Sequence, residues 1–131
     1  MTEEVDSLPK DKQPEIRVLA MPADTNAAGD IFGGWLMSQV DIAGSIVAYR
    51  FASGRVVTVS VNDFVFLKPV FVGDLVSLFA ELINVGKTSM QIEVIAYAER
   101  KRGVAESHRV AQAKLTYVAI NEDRQPRPVN N

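Results

Sequence analysis

The sequence predicts an α+β fold in which one antiparallel β-sheet wraps around a single central, buried α-helix. Three observations lead there. Trp35 to about Phe51 contains no proline and carries apolar residues at helical spacing. Four later stretches are long and rich in residues that favour strands. The connections between them are short, which forces consecutive strands to run antiparallel. A twisted antiparallel sheet that curls round one helix satisfies all three.

Each element has its own signal. Residues 1–15, with Pro9, Pro14 and many charges but no apolar period, are expected to form a flexible leader. Ile16–Ala20 reads as a short strand, ended by Pro22 and the turn-forming Asp24-Thr25-Asn26. Gly29, Gly33 and Gly34 punctuate the entry to the helix. Within it, Leu36, Val40, Ala43 and Val47 recur in steps of four, three and four, and Ile42, Ile46 and Tyr49 form a second apolar set. A helix apolar around most of its circumference is expected to be buried. After Gly54, the odd positions Val57, Val59, Val61, Val65 and Leu67 share one strand face, and Asn62-Asp63 marks a candidate bulge. Lys68-Pro69 ends that strand, and Gly73-Asp74 opens the next, which runs to about Val85. Gly86-Lys87 leads into Thr88–Glu99, where Met90, Ile92, Val94, Ala96 and Ala98 form one face. The Arg100–Ser107 turn precedes a last strand, His108–Ile120. Residues 122–131 hold two prolines and are expected to form a flexible tail, leaving 16–121 as the domain.

Composition narrows the chemistry. With 131 residues, 47% hydrophobic and 23% charged, the chain is expected to be one globular domain. A net charge of -2 provides no general attraction to nucleic acid or anionic membrane, so neither is an expected partner. The lack of cysteine excludes thiol nucleophiles and disulfides, and a single histidine leaves too few soft ligands for a tight metal site. No metal or cofactor is expected. No apolar run approaches the roughly 18 residues of a membrane span, and the acidic start Thr2-Glu3-Glu4 is unlike a signal peptide. The expected location is the cytoplasm. Neither a Gly-x-Ser-x-Gly elbow nor a dinucleotide-binding fingerprint is present.

Asp41 is the first candidate site residue. Ser38 lies three positions before it, and Gly44 and Ser45 follow at three and four, so all four share one helix face. Their small size would leave a groove beside a carboxylate that has no basic partner at helical spacing. The competing reading is a plain solvated face. The helix start is the second candidate. Unpaired amides there suit a developing oxyanion, and Gly33-Gly34 permits close approach. Alternatively, Asp30 is an ordinary N-cap and the glycines only allow tight packing. The amides and Asp41 lie roughly 10 Å apart along one rod, so a carbonyl could use both only with help from elsewhere, such as a second subunit. The basic residues Arg55, Lys68, Lys87 and Arg100-Lys101-Arg102 are scattered, and the last run reads as a solvated tip. Gly86-Lys87-Thr88-Ser89 can offer a phosphate one lysine, two hydroxyls and exposed amides, although it lacks the spacing of a P-loop. His108 reads as a surface residue.

The run from Ala20 to Asp41, with Asp24-Thr25-Asn26, Gly29-Asp30 and Gly33-Gly34-Trp35, resembles the hotdog-fold acyl-CoA thioesterases, in particular their bacterial YciA-like branch. Gly54-Arg55-Val56-Val57, Lys68-Pro69-Val70, Val72-Gly73-Asp74 and Val85-Gly86-Lys87-Thr88-Ser89 extend the likeness over about residues 16–121. The resemblance implies hydrolysis of acyl-CoA without a cofactor, by dimers assembled into hexamers as trimers of dimers. It implies Asp41 as general base or nucleophile, in a site shared between one subunit's helix and its neighbour's loop. Asn26 would position water or carbonyl, Asp30 would line the partner side, and the Gly33-Gly34 amides would polarise the thioester. Arg55 and Gly86–Ser89 are the candidates for holding CoA. Thioester chemistry suits so sparse a set, because a thiolate leaves readily without acid assistance. Two rival classes are a non-catalytic acyl-CoA sensing module and a hotdog hydratase or dehydratase, which would pair a histidine with the carboxylate.

Overall fold

A computed structural model describes residues 7–100 and 106–130 of the chain. Its elements are β1 (Ile16–Leu19), α1 (Gly33–Ala52), β2 (Val56–Phe66), β3 (Leu75–Val85), β4 (Ser89–Arg100) and β5 (Glu106–Ala119), with a 3-10 turn at Pro22–Asp24. The strands form one antiparallel sheet in the order β1-β3-β4-β5-β2. The hairpin-linked β3, β4 and β5 make its centre, and the strands on either side of the helix in sequence make its edges.

The core lies between the sheet and one face of α1. Leu36, Val40, Ala43, Ala48 and Ala52 pack with Val76 and Leu78 of β3, Ile92 and Val94 of β4, and Val110 and Leu115 of β5. The period-two alternation expected in β4 is observed, with Met90, Ile92, Val94, Ala96 and Ala98 all buried. The Asn62-Asp63 interruption is a bulge: the β2–β5 register slips between Asn62 and Val65, and Asp63 has φ 54°. The helix stops at Ser53, which is left-handed at φ 53°, and Arg127 Nη2 donates to the Ala52 carbonyl (2.8 Å).

Several expectations change. The helix is buried on one side only; Met37, Ile42, Tyr49 and Phe51 remain exposed, because one sheet covers one face of a rod. Val57, Val59, Val61, Val65 and Leu67 are all exposed on the edge strand β2 and do not share one face, because the register shift between Thr58 and Ser60 pairs Val57 with Val118 but Val61 with core-facing Leu115. His108 is 2% exposed rather than on the surface. Lys68 Nζ lies 3.3 Å from its Nδ1, and Glu106 lies 3.5 Å from its Nε2, so the ring's polar atoms are matched inside the sheet. Arg100 is no solvated tip. It donates to buried Asp74 (2.9 Å) and to the Pro69 carbonyl (3.0 Å), which ties the corner before β3 to the end of β4. The rest of that basic run, Lys101 and Arg102, lies outside the described residues.

Both termini differ from the expected picture in their described parts. The C-terminal segment folds back instead of trailing: Arg127 N bonds to the Ala119 carbonyl, Val129 N bonds to the Lys87 carbonyl, and Val129 is 4% exposed. In the leader, Lys12 pairs with Glu81 at 3.2 Å, and Glu15 N bonds to the Leu78 carbonyl. Residues 1–6 lie outside the described set.

Candidate active site

The site is built around one sheet rung. Thr58 of β2, Tyr117 of β5 and Met90 of β4 are direct neighbours across the sheet. Tyr117 follows Leu115 on the core-facing positions of β5 and is fully buried. A phenol there needs a polar partner. It finds one because α1 carries Gly44 at the crossing point, where any Cβ would overlap the hydroxyl. Gly44 therefore does not open a groove as its size suggested; the tyrosine occupies that space.

The partner is Asp41. Tyr117 Oη donates to the Asp41 carbonyl (2.8 Å) and to Oδ1 (3.0 Å), and Thr58 Oγ1 donates to the same Oδ1 (2.8 Å). Burial first, then the Asp41 charge and the bond to it, push the Tyr117 phenol far above its ordinary range, with the Thr58 hydroxyl offsetting part of this. Tyr117 thus stays a neutral donor. No ion pair to Asp41 is found among the described residues. Ser45, one turn on, donates to the Ile42 carbonyl (2.7 Å). From Ser45, an open groove of about 710 Å³ runs along the helix past Ile46, Tyr49, Arg50 and Ser53 to Val56.

The helix start presents free amides. Phe32 is the N-cap and offers no capping side chain, so Asp30 does not cap the helix. Phe32 N donates to the Asp24 carbonyl, and Trp35 N and Leu36 N return to the Phe32 carbonyl. Gly33 N and Gly34 N are left without a hydrogen bond among the described residues. A Cβ on Gly33 would press on the Phe66 ring (3.1 Å), whereas Gly34 faces open space. Asn26 organises the preceding loop: its Oδ1 accepts from Ala28 N (2.9 Å) and Asp30 N (3.2 Å), leaving its Nδ2 to donate outward. A second hollow of about 230 Å³, lined in part by Phe32, Gly33, Phe66 and Lys68, adjoins the helix start.

The remaining candidates gather at one end of the sheet. The Arg55 carbonyl accepts from Ile120 N, and the Thr88 carbonyl accepts from Ala119 N, so Arg55 and the 86–89 turn flank the end of β5. Arg55 is three residues from Thr58, about 10 Å along a strand. Gly86 N is closed within its own turn on the Ser89 carbonyl (2.8 Å), so that amide is not among those a phosphate can use. One chain therefore brings Asp41, Arg55 and Gly86–Ser89 toward one end of the sheet. Asn26, Asp30, Gly33 and Gly34 sit at the other end of α1, about 10 Å from Asp41 along the rod. Thr58 and Tyr117 were missed by the sequence reading. The available signals were a tyrosine on the core-facing period of β5 and a glycine inside a helix, each of which implies a close neighbour.

Comparison with known proteins places these features in context. Residues 28–105 match the model of the thioesterase superfamily. The chain is 47% identical over 116 residues to the acyl-CoA thioester hydrolase YciA of Salmonella typhimurium, covering 87% of each chain. Among solved structures, it superposes on the hexameric thioesterase y2039 of Yersinia pestis with a TM-score of 0.85 and 49% identity, covering 92% of this chain and 97% of that one. It superposes on a hexameric hotdog fold thioesterase of Campylobacter jejuni with a TM-score of 0.86 and 41% identity, covering 92% of each.

Proposed function

This chain belongs to the thioesterase superfamily, and from that premise we propose that it is an acyl-CoA thioester hydrolase whose reactive carboxylate is Asp41. The observation that carries the residue assignment is the pairing of Asp41 with two neutral hydroxyls and, among the described residues, no cation, one helical turn before Ser45, where an open groove along the helix begins. A carboxylate kept for structure is ordinarily matched to a guanidinium or an ammonium, as Asp74 is here by Arg100.

Two routes fit this geometry. In the first, Asp41 takes a proton from water while the water oxygen bonds to the thioester carbon. The oxyanion formed is held by helix-start amides, then collapses, breaks the C–S bond and releases CoA thiolate, which is protonated in solution. In the second, Asp41 itself attacks, the thiolate leaves, and water hydrolyses the acyl anhydride. Neither route draws on a cofactor, and CoA departs as product. The amides belong to a second subunit, because within one chain they stand about 10 Å from the carboxylate. Asn26 Nδ2 and the Gly33 and Gly34 amides of one protomer face Asp41 of its partner, and Asp30 lines that loop. Arg55, Lys87, Thr88 and Ser89 serve the CoA phosphates.

The unit of activity is then a dimer, built further into a hexamer as are the Yersinia and Campylobacter relatives. Among the described residues no helix is long and apolar enough to cross a membrane, and we assign the enzyme to the cytoplasm. The test is thiol release from a panel of acyl-CoA chain lengths. Asp41→Ala is expected to lower kcat by at least about 100-fold in a folded protein. Near-wild-type turnover would remove Asp41 from the mechanism, and tight binding of CoA esters without thiol release by the unaltered protein would favour a sensing module.

A further inference from the structure

We propose that the C-terminal segment is a brace that sets the Gly86–Ser89 turn for CoA, with Val129 as the positioning residue; the inference rests on that turn serving the CoA phosphates. After β5 the chain reverses at Asn121–Gln125, where Asn121 Oδ1 accepts from Asp123 N and Gln125 N (2.9 Å each). The returning residues are then tied down at both ends. Arg127 N donates to the Ala119 carbonyl and Val129 N to the Lys87 carbonyl, each at 2.9 Å. The Arg127 guanidinium donates to the carbonyls of Ala52 (2.8 Å), Pro128 (3.1 Å) and Ile120 (3.3 Å). Val129 itself joins the hydrophobic core.

The bond to Lys87 matters because a peptide unit is planar and trans, so its C=O and its N–H point in opposite directions. Val129 N takes the Lys87 carbonyl to one side, which turns the Thr88 N–H to the other. Ala119 N holds the Thr88 carbonyl in the same way (2.9 Å). Lys87 N and Thr88 N make no hydrogen bond among the described residues. A turn with its carbonyls tied down on one side and its amides free on the other is suited to an anion. The tie from Ala119 comes from the neighbouring strand, whereas the tie from Val129 comes from outside the sheet. Without it, the Lys87–Thr88 peptide is free to rotate about its flanking dihedrals and present a carbonyl oxygen to the phosphate. Val129 carries no charge and is 4% exposed, so its effect on a phosphate must pass through the turn. The segment also has a structural reading, since Arg127 closes the end of α1. A structural tie alone would affect every substrate alike, whereas a brace for the phosphate turn affects only substrates that carry phosphates.

The experiment measures kcat and KM for an acyl-CoA and for the same acyl group on N-acetylcysteamine, a thiol without phosphates, together with the Kd of CoA. The proteins are the wild type, Val129→Pro, a chain ended after Gln125, and Lys87→Ala, with folding and oligomeric state checked in each. Val129→Pro removes the N–H and keeps an apolar side chain. It is expected to raise KM for acyl-CoA about 10-fold with kcat within about 2-fold, the signature of lost ground-state binding. The Kd of CoA should rise in parallel, while both constants for the N-acetylcysteamine thioester stay at their wild-type values. The shortened chain, which loses Arg127 and Val129 together, is expected to show the same split and decides the question should Val129→Pro fail to fold. Wild-type KM and Kd in the folded variants, or an equal loss on both substrates, would overturn the proposal. Wild-type affinity for CoA in Lys87→Ala would refute the reading beneath it, because the turn would then hold no phosphate. Weakened binding in Lys87→Ala beside wild-type binding in Val129→Pro would keep the turn and discard only the brace.

Discussion

Gly44 shows how one missing methyl organises the site. Glycine inside a helix costs about 1 kcal/mol relative to alanine by propensity alone. Gly44→Ala should therefore stabilise the protein, were it not that the new Cβ would overlap the Tyr117 hydroxyl. That hydroxyl ends a rigid ring, fully buried, and has nowhere to move. The expected outcome is a lower Tm together with a lower kcat, read by thermal unfolding and thiol release. Tyr117 carries a second expectation at this scale. Its native phenol is raised above the ordinary value of 10.0, so the folded chain holds this proton more tightly than the unfolded one. The stabilisation is complete below about pH 10 and declines as alkali ionises the unfolded tyrosine. Denaturant midpoints of the wild type should thus fall as the pH rises from about 10 to about 12, and Tyr117→Phe should lose part of that dependence. An identical alkaline fall in Tyr117→Phe would show that the phenol is not the group responsible.

Two elements act through their ends and edges. At the start of α1, the Gly34 amide is free, and a Cβ there would meet open space. Proline is tolerated in the first turn of a helix and lacks the N–H. Gly34→Pro is accordingly expected to keep the fold and to lower kcat by about 100-fold or more, the size of a lost oxyanion donor. Unchanged turnover would move the electrophilic site to Gly33 or elsewhere. The strand β2 is an eleven-residue sheet edge whose Val57, Val59, Val61 and Val65 are exposed. A long apolar edge is a template for pairing with another chain. Val59, 53% exposed, can be replaced by lysine without disturbing the core of one chain. Val59→Lys is expected to dissociate the oligomer in sedimentation, with loss of activity. A stable, fully active oligomer would mean that another surface joins the subunits.

At the scale of the whole molecule, the exposed half of α1 and the open β2 edge are both incomplete in one chain, and the proposed site is incomplete for the same reason. Subunit mixing tests the link directly. Asp41→Ala and Gly34→Pro homo-oligomers, each inactive, should regain activity when their subunits are exchanged. In a hybrid dimer one site carries both defects and the other carries neither, so random exchange should return about a quarter of wild-type turnover. No recovery after proven exchange would place carboxylate and amides in one subunit.

The element order, the alternation of β4, the bulge at Asn62-Asp63 and the helix with its glycine-rich start were legible in the sequence, because period and turn chemistry are local properties. Asp41 stood out there as a candidate, a carboxylate without a basic neighbour at helical spacing, with a plain solvated face as the competing reading. Tertiary structure alone decided which side of an all-round apolar helix the sheet covers, and that β2 rather than β1 stands next to β5. It moved His108 into the interior and drew the last residues back over the helix end. It also supplied Thr58 and Tyr117, which lie 17 and 76 positions from Asp41 in the chain. Hydrogen-bond partners so far apart leave no periodic trace; they meet only once strand register is set, and register is fixed by packing across the sheet rather than by any short run of residues.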